Sequence, residues 1–581
     1  MLRNTGLRFL MPYMRDYRGT LILGTLYALL GAGASAFSPT VLGWAIDELQ
    51  QGVRPRALLW YALSLIGLAV TLAIFRYLLR MLTGGIAAGI SYKMSQDLFA
   101  RILELDHNTI IEYGTGDLLS RGTSDFAYIW RFYSAGFQMA MHALFLLLIG
   151  VILMATASPL LAGIVVGMLT VSLLAQIRLG RILERAFDRV QREMARMSAF
   201  AQEHLGAARM LIAYAQEQPS VDAFRRANDR YVHNNLQYMF RAGAIAPLPS
   251  LMVRLATMLV LAVGGILILN NQLTVGEYVT FIVYLGLLSN AAQSLAQAYE
   301  RLQQGSAAAG RIGEILLRRP RVTDAPDAAS PKLQGALRFE HVGVRAGDNW
   351  VLHDINLDIP AGTTLGIVGA TGAGKTTLLN LIGRIQDPHE GRVLLDGHDV
   401  KQIKLKTLRR AVAYVPQETL LFGMPLRDNI TLGLSNVPDE RVHGAIQAAR
   451  LSNDLVQLPQ GLGTIVGERG ATLSGGQKQR TAIARALVRD PHVLVLDDSL
   501  ASVDAHTASE IIAELGRTRS NRTCLLVSQR IAAVRDAEQI IVLDNGRIVE
   551  RGTHQSLLQA DGLYAAMFRR EVQQAEEQIS A

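Results

Sequence analysis

Six apolar runs lie before residue 300, each long enough to cross a bilayer, and none follows. About 20 predominantly apolar residues span a hydrocarbon core of ~30 Å. A chain with six such runs cannot fold as one soluble body. The runs fall at about Leu21–Ile46, Leu58–Leu82, Ala135–Ala157, Leu160–Leu179, Leu248–Leu269 and Tyr278–Leu295. The intervening segments alternate in length. Gln50–Arg56, Ser158-Pro159 and Asn270–Gly276 are short, whereas Gly84–Arg131 and Arg181–Arg241 are long, polar, helical in pattern and rich in Arg. The excess of Arg in the long loops puts them in the cytoplasm, and with them the N-terminus and, after an even number of crossings, the C-terminal half. The net charge of +8 fits this asymmetry; no clustered basic and aromatic surface accompanies it, so nucleic acid is not expected as a partner. The stretch Met1–Arg18 carries four Arg without an adjoining short apolar region, so it reads as a basic amphipathic segment on the membrane face rather than a cleaved signal. The single cysteine, Cys524, sits in an apolar run and reads as a small core residue.

The C-terminal half is of another kind. Gly369-Ala-Thr371-Gly372-Ala373-Gly374-Lys375-Thr376-Thr377 fits G-x-x-x-x-G-K-[ST], with the strand Thr364–Val368 before it and a helical run after it. Glycines bring backbone N–H groups close to phosphates, and the helix N-terminus adds its dipole. Lys375 is placed to reach the β/γ-phosphates of a nucleotide, and the Thr376 hydroxyl to ligate Mg²⁺. Val493-Leu-Val-Leu-Asp497-Asp498 is an apolar strand ending in paired carboxylates. Asp497 suits a contact to Mg²⁺, and Asp498 suits the attacking water. Leu473-Ser474-Gly475-Gly476-Gln477 opens a second helix whose N-terminus is a second phosphate site. Two such sites serve one nucleotide if it lies between the loop of one domain and the second site of another.

This set of motifs resembles the ATP-binding cassette, and the whole chain resembles a half-transporter of the ABC exporter family. The fold class is thus multidomain: an all-α six-helix transmembrane domain over residues 1–317, a linker with three Pro at 318–336, an α/β P-loop cassette over 337–570 with a largely parallel sheet, and a tail at 571–581. In the resemblance, Gln417 is the Mg²⁺- and water-contacting glutamine, Thr464–Gly470, with Glu468, the segment before the signature, Ser474 to Gln477 the signature acting in trans, and Asp504 part of a loop that crosses to the opposite cassette. Tyr113–Arg121 and Ala213–Glu217 mark cytoplasmic coupling helices near 110–121 and 212–221. Three positions depart from the family. Its catalytic glutamate is Asp498, which sets the carboxylate back by roughly 1–1.5 Å, and about 1 Å of misplacement costs around a hundredfold. Its switch histidine is Gln529, which has no imidazole proton to give. Its adenine-stacking aromatic is Ala346, with Trp350 the nearby aromatic.

The resemblance therefore implies an ATP- and Mg²⁺-dependent translocase subunit in the plasma (inner) membrane. It exports hydrophobic or amphipathic compounds and pairs with a second half-transporter, this chain contributing the degenerate site and an intact signature. The alternatives are a homodimeric exporter or lipid flippase, and a channel-like protein gated by ATP. Within the spans, Arg254, His142 and Gln138 are substrate-pathway candidates; Arg254 otherwise snorkels or packs between helices, and His142 otherwise makes an interhelical hydrogen bond.

Overall fold

The computed structural model describes residues 5–52, 55–467, 470–518 and 522–580. The chain divides into two compact units, one of residues 1–103 and 114–318, the other of residues 104–113 and 319–581.

The first unit is helical. It contains α1 (Thr5–Arg15), α2 (Arg18–Gln50), α3 (Pro55–Glu104), α5 (Thr115–Arg131), α6 (Phe137–Ala157), α7 (Pro159–Gly206), α8 (Ala208–Ala213), α9 (Glu217–Ile245), α10 (Leu248–Leu269) and α11 (Val275–Leu317); the short α4 (His107–Tyr113) belongs to the other unit. A π-helical turn, Phe132–Gly136, joins α5 to α6. Among the described residues, six helical runs of 33 to 53 residues are long and apolar enough to span a membrane. At 1.5 Å per residue, a helix of 48 residues such as α7 is about 72 Å long, more than twice the hydrocarbon core. The helices therefore continue beyond the apolar runs, and the polar inner segments form their extensions.

Close packing in this unit rests on small residues and local polar satisfaction. A Cβ on Gly43 of α2 would meet Thr280 Oγ1 of α11 at 2.1 Å. Pro39 sits inside α2, and nearby carbonyls are taken up from α11: Thr280 Oγ1 donates to Pro39 O (3.1 Å) and Tyr284 Oη to Ala36 O (2.6 Å). Both bonds tie the proline turn of α2 to α11. Asp47 receives Thr274 Oγ1 and the Gly276 N–H, each at 2.7 Å, and so fastens the start of α11. On the polar extensions, buried Asp125 pairs with Arg311, and Arg121 joins Asp117 to Glu314. The amphipathic α1 turns its apolar side to protein: Leu10 is fully buried, and Phe9 covers Gly313 of α11. The segment expected on the membrane face thus packs part of its apolar side on a glycine surface of α11; residues 1–4 lie outside the described residues.

The second unit has two sheets. β1 (Leu337–Ala346), β2 (Asn349–Ile359), β4 (Glu390–Leu395) and β5 (His398–Asp399) form an antiparallel sheet in the order β2-β1-β4-β5. β3 (Thr364–Val368), β6 (Val412–Val415), β7 (Val493–Asp497), β8 (Thr523–Val527), β9 (Gln539–Asp544) and β10 (Arg547–Gly552) form the second, in the order β10-β9-β3-β8-β7-β6, parallel except for β10. The helices are α12 (Lys375–Ile382), α13 (Leu405–Ala411), α14 (Leu426–Ile430), α15 (Asp439–Ala448), α16 (Ser452–Leu455), α17 (Gly475–Leu487), α18 (Ala505–Thr518), α19 (Ile531–Val534), α20 (His554–Gln559) and α21 (Leu563–Ser580). One apolar core combines residues of both sheets, including Phe339, Leu352, Ile367 and Val495; another sits among the helices around Val415, Ile446, Ile483 and Leu496. The antiparallel sheet was not foreseen. Its strands pair through a hairpin at Gly347-Asp348 and through a return from β4, contacts that alternating strand and helix patterns do not encode.

The expected linker is fastened along the cassette. Val322 and Leu333 are buried, Ala329 bridges to Ile403, and the Asp396 carboxylate accepts the N–H groups of Gln334, Gly335 and Ala336. Prolines stop it from forming a helix, but they do not free it from the domain. The expected tail is no separate piece either: α21 runs without a break through Arg570 to Ser580.

Candidate nucleotide site and cavity in the membrane helices

Parallel pairing places the carboxyl ends of β3, β7 and β8 side by side, with Asp497 in register with Val527. Loops leaving these ends form the site, as is general for open α/β sheets. The loop after β3 depends on its glycines. Gly369 has φ +154°, and a Cβ there would lie 2.1 Å from Leu543 O; Gly374 has φ +98°, and a Cβ there would lie 2.8 Å from Val351 O. Gly372 is also in the left-handed region (φ +85°). Thr371 and Thr376 are exposed, Ala373 is buried, and Thr377 is half-buried at the start of α12. Lys375 Nζ folds back to donate to Gly369 O (2.7 Å) and Ala370 O (2.8 Å). Burial lowers the Lys375 pKa, against the pull of Asp498 and Asp497. A phosphate chain would supply the charge this ammonium lacks.

Asp497, at the end of β7, is 3% exposed, and its Oδ2 accepts the Tyr414 hydroxyl at 2.8 Å. Burial, then the charge of Asp497, pushes the Tyr414 phenol well above its usual range, so it stays a neutral donor. Motif reading passed over Tyr414, although it lies three residues before Gln417. Asp498 follows in the left-handed region (φ +46°), its N–H bonded to Val527 O (3.0 Å) and its carboxylate accepting the Gln529 backbone N–H. Burial raises the Asp498 pKa, with Asp497 adding to it; the Gln529 N–H, Lys375 and Arg530 oppose. The Gln529 and Gln417 side chains are exposed. The structure thus gathers Lys375, Asp497 and Asp498 within range of one another's charges, with Gln529 beside Asp498.

Among the described residues, no group of three or more His, Cys, Asp or Glu forms a metal site.

The signature is built as a capped helix start. Ser474 Oγ accepts from Gln477 N (3.3 Å) and Gln477 Oε1 from Ser474 N (3.0 Å), a reciprocal capping box at the head of α17. Gly475 and Gly476 face Ser502, and Gln479 Oε1 accepts the Ser502 N–H at 2.9 Å. Asp454 of α16 anchors the helix: it takes both guanidinium arms of Arg480 (2.9 and 3.0 Å) and the Gln477 amide (3.3 Å). Sequence reading had no signal for Asp454, which lies in a short unrelated helix. Asp504 caps α18 by accepting Thr507 N at 2.9 Å, and this bond holds its carboxyl below the usual range. Glu468 lies outside the described residues.

Ala346 is exposed beside the hairpin turn. Trp350 is half-buried, with the Arg345 guanidinium 4.0 Å over its ring and the His353 ring nearly perpendicular to it at a centroid distance of 5.2 Å.

In the helical unit, Gln138 and His142 of α6 line one cavity of about 180 Å³ with Tyr27, Phe75, Arg76 and Ser294. Arg254 is exposed on α10 and lies outside this cavity. The short helices between the polar extensions are α4, at residues 107–113, and α8, at 208–213, each beginning a few residues before the stretch marked by motif.

Two family models match: the ABC transporter transmembrane region over residues 21–292 and the ABC transporter model over residues 352–501. A probable multidrug resistance ABC transporter ATP-binding/permease protein of Bacillus subtilis is 34% identical, covering 92% of each chain. An ATP-dependent lipid A-core flippase of Desulfotalea psychrophila is 31% identical over 81% of this chain and 82% of its own. A bacterial Atm1-family ABC exporter solved with ATP bound superposes with a TM-score of 0.76 at 26% identity, over 96% of this chain and 98% of that one. With an ABC membrane region and an ATP-binding cassette joined in one polypeptide, and with exporters as its relatives, the chain belongs to the ABC transporter family as an exporter half-transporter.

Proposed function

We propose that this chain is one half of a heterodimeric exporter, that its own ATP site is slow, and that its signature completes a competent site on the partner. The carrying observation is the contrast between the two ends of its nucleotide machinery. At the hydrolytic end, Asp498 is short, partly desolvated and engaged by the Gln529 backbone, and the Gln529 side chain has no imidazole. At the signature end, the helix start is fully capped and anchored by Asp454. A chain serving only its own site would gain little from keeping one end intact and losing the other.

Mg²⁺ fits this site, because Thr376 and Gln417 are exposed and Asp497 is oriented by Tyr414; bound there, it would neutralise charge on the phosphates. Lys375 and the loop N–H groups hold the phosphate chain. Asp498, when ionised, orients a water, with its carboxylate set back from the family's position. Closure on ATP would pass through the coupling helices to the membrane helices and turn the cavity outward. Cargo is hydrophobic or amphipathic, in keeping with spans rich in Leu, Ala, Tyr and Met; the membrane is the plasma (inner) membrane, with the cassette and N-terminus cytoplasmic, on the charge bias of the loops.

The test is co-expression with a half-transporter carrying the family's Glu and His. ATPase activity should rise strongly over this chain alone and vanish when the partner's catalytic glutamate is removed. Activity that survives that removal unchanged would sink the asymmetric reading.

A further inference from the structure

None of the six apolar runs contains Asp or Glu, yet the second contains Arg76 and Arg80, the fourth Arg178 and the fifth Arg254. Among the described residues, no hydrogen bond or ion pair is recorded for Arg76, Gln138 or His142, and all three line the same cavity. An exposed guanidinium and a half-buried imidazole and carboxamide, gathered from two helices around one cavity at membrane depth, are open to a polar ligand. The remainder of the wall is apolar and aromatic: Tyr27 and Phe75 pack with ring centroids 5.7 Å apart, beside Leu72, Leu79 and Met139.

The level of the cavity follows from counting along the runs. Tyr27 lies six residues into the first, Gln138 and His142 three and seven into the third, Arg76 six before the end of the second, and Ser294 one before the end of the sixth. With the long loops cytoplasmic, all of these positions fall within about 11 Å of the inner end of their run at 1.5 Å per residue. The cavity therefore sits at the level of the inner leaflet. Its volume of about 180 Å³ is below the ~300 Å³ at which drug-sized pockets begin, so it takes a headgroup and not a whole molecule.

We propose that this cavity binds the anionic headgroup, phosphate or carboxylate, of a single-chain or acyl-chain amphiphile drawn from the inner leaflet. Arg76 supplies the charge and a forked donor, Gln138 and His142 supply further donors, and the Tyr27–Phe75 wall receives the first carbons of the chain. The proposal rests on the exporter reading and narrows its cargo class.

The test is binding rather than transport. Radiolabelled dodecyl phosphate, laurate, dodecanol and dodecyltrimethylammonium are equilibrated with the full chain in phosphatidylcholine nanodiscs, with empty discs subtracted. The two anions should bind saturably, and the alcohol and the cation at least tenfold more weakly. Arg76→Gln should weaken anion binding tenfold or more, Arg76→Lys less, and Arg254→Gln not at all. Inorganic phosphate should fail to displace dodecyl phosphate; displacement would mean that the site reads a free anion, overturning the amphiphile claim. An unchanged helical circular-dichroism melt of the full chain certifies each variant as folded, and His142→Leu with Gln138→Leu carries the test if Arg76→Gln does not fold. Equal binding of all four probes, or anion binding indifferent to these variants, overturns the proposal. Failure of the exporter reading would show differently, as anion binding without ATP-dependent movement of any probe across vesicles.

Discussion

Tyr414 and Asp497 make the sharpest residue-level case, because one partner is buried and charged. Removing the phenol hydroxyl leaves a buried carboxylate without its donor, at a cost of about 1–3 kcal/mol. Tyr414→Phe is therefore expected to lower the apparent melting temperature of the ATP-free protein by several degrees, and added Mg²⁺-ATP should recover much of the loss; an unchanged melting curve would show that the bond in the structure carries no weight. Cys524 gives a chemical counterpart. Its surroundings push its thiol up to about 12, so at pH 8 its thiolate is scarcer than that of a free cysteine. Iodoacetamide labelling should be correspondingly slow in the native protein and fast in denaturant. Asp498 brings pH into the hydrolytic step. Its pKa is raised, so the protonated form persists above the usual carboxylate range, and hydrolysis at this site should fall off on the acid side at a higher pH than for an ordinary carboxylate. The sign for stability is the reverse: the folded state holds this proton more tightly than the unfolded chain, so ionising Asp498 as pH rises through the raised pKa lowers stability.

At the scale of elements, the signature helix depends on a residue that no motif contains. Asp454 and Arg480 are each nearly buried, with side chains 12% and 13% exposed. Breaking such a pair by removing one partner typically costs about 3–5 kcal/mol, since it strands the other charge. Asp454→Ala should therefore depress partner-stimulated ATPase while leaving ATP binding by this chain's own loop intact; equal loss of both would mean a general collapse of the cassette. The same pair explains what the sequence made legible and what it did not. The strand–loop–helix at Gly369–Thr377, the strand end at Asp497 and the capped start at Ser474 were readable because each is a local device in which the backbone and its neighbours specify the geometry. Asp454–Arg480 and Tyr414–Asp497 join residues 26 and 83 positions apart, and nothing in either local pattern names its partner. The antiparallel sheet escaped for the same reason, and the fastening of the linker at 318–336 because proline content reports backbone conformation and not adhesion.

For the whole molecule, the six long membrane helices were legible from hydropathy, since bilayer thickness fixes the length of an apolar run, and the cassette from its motifs. Arg76 also lies inside a run but was passed over in the sequence; only the structure joins it to Gln138 and His142 and separates Arg254 from them. The central claim, that Asp498 and Gln529 limit this chain's own site, is tested most directly by steady-state ATPase of the purified chain in nanodiscs, set against Asp498→Glu combined with Gln529→His. The expected result is feeble turnover in the natural protein and a rise of tenfold or more in the double variant. Robust turnover in the natural protein, abolished by Asp498→Asn and not increased by the double variant, would contradict it and establish a competent site in a homodimer.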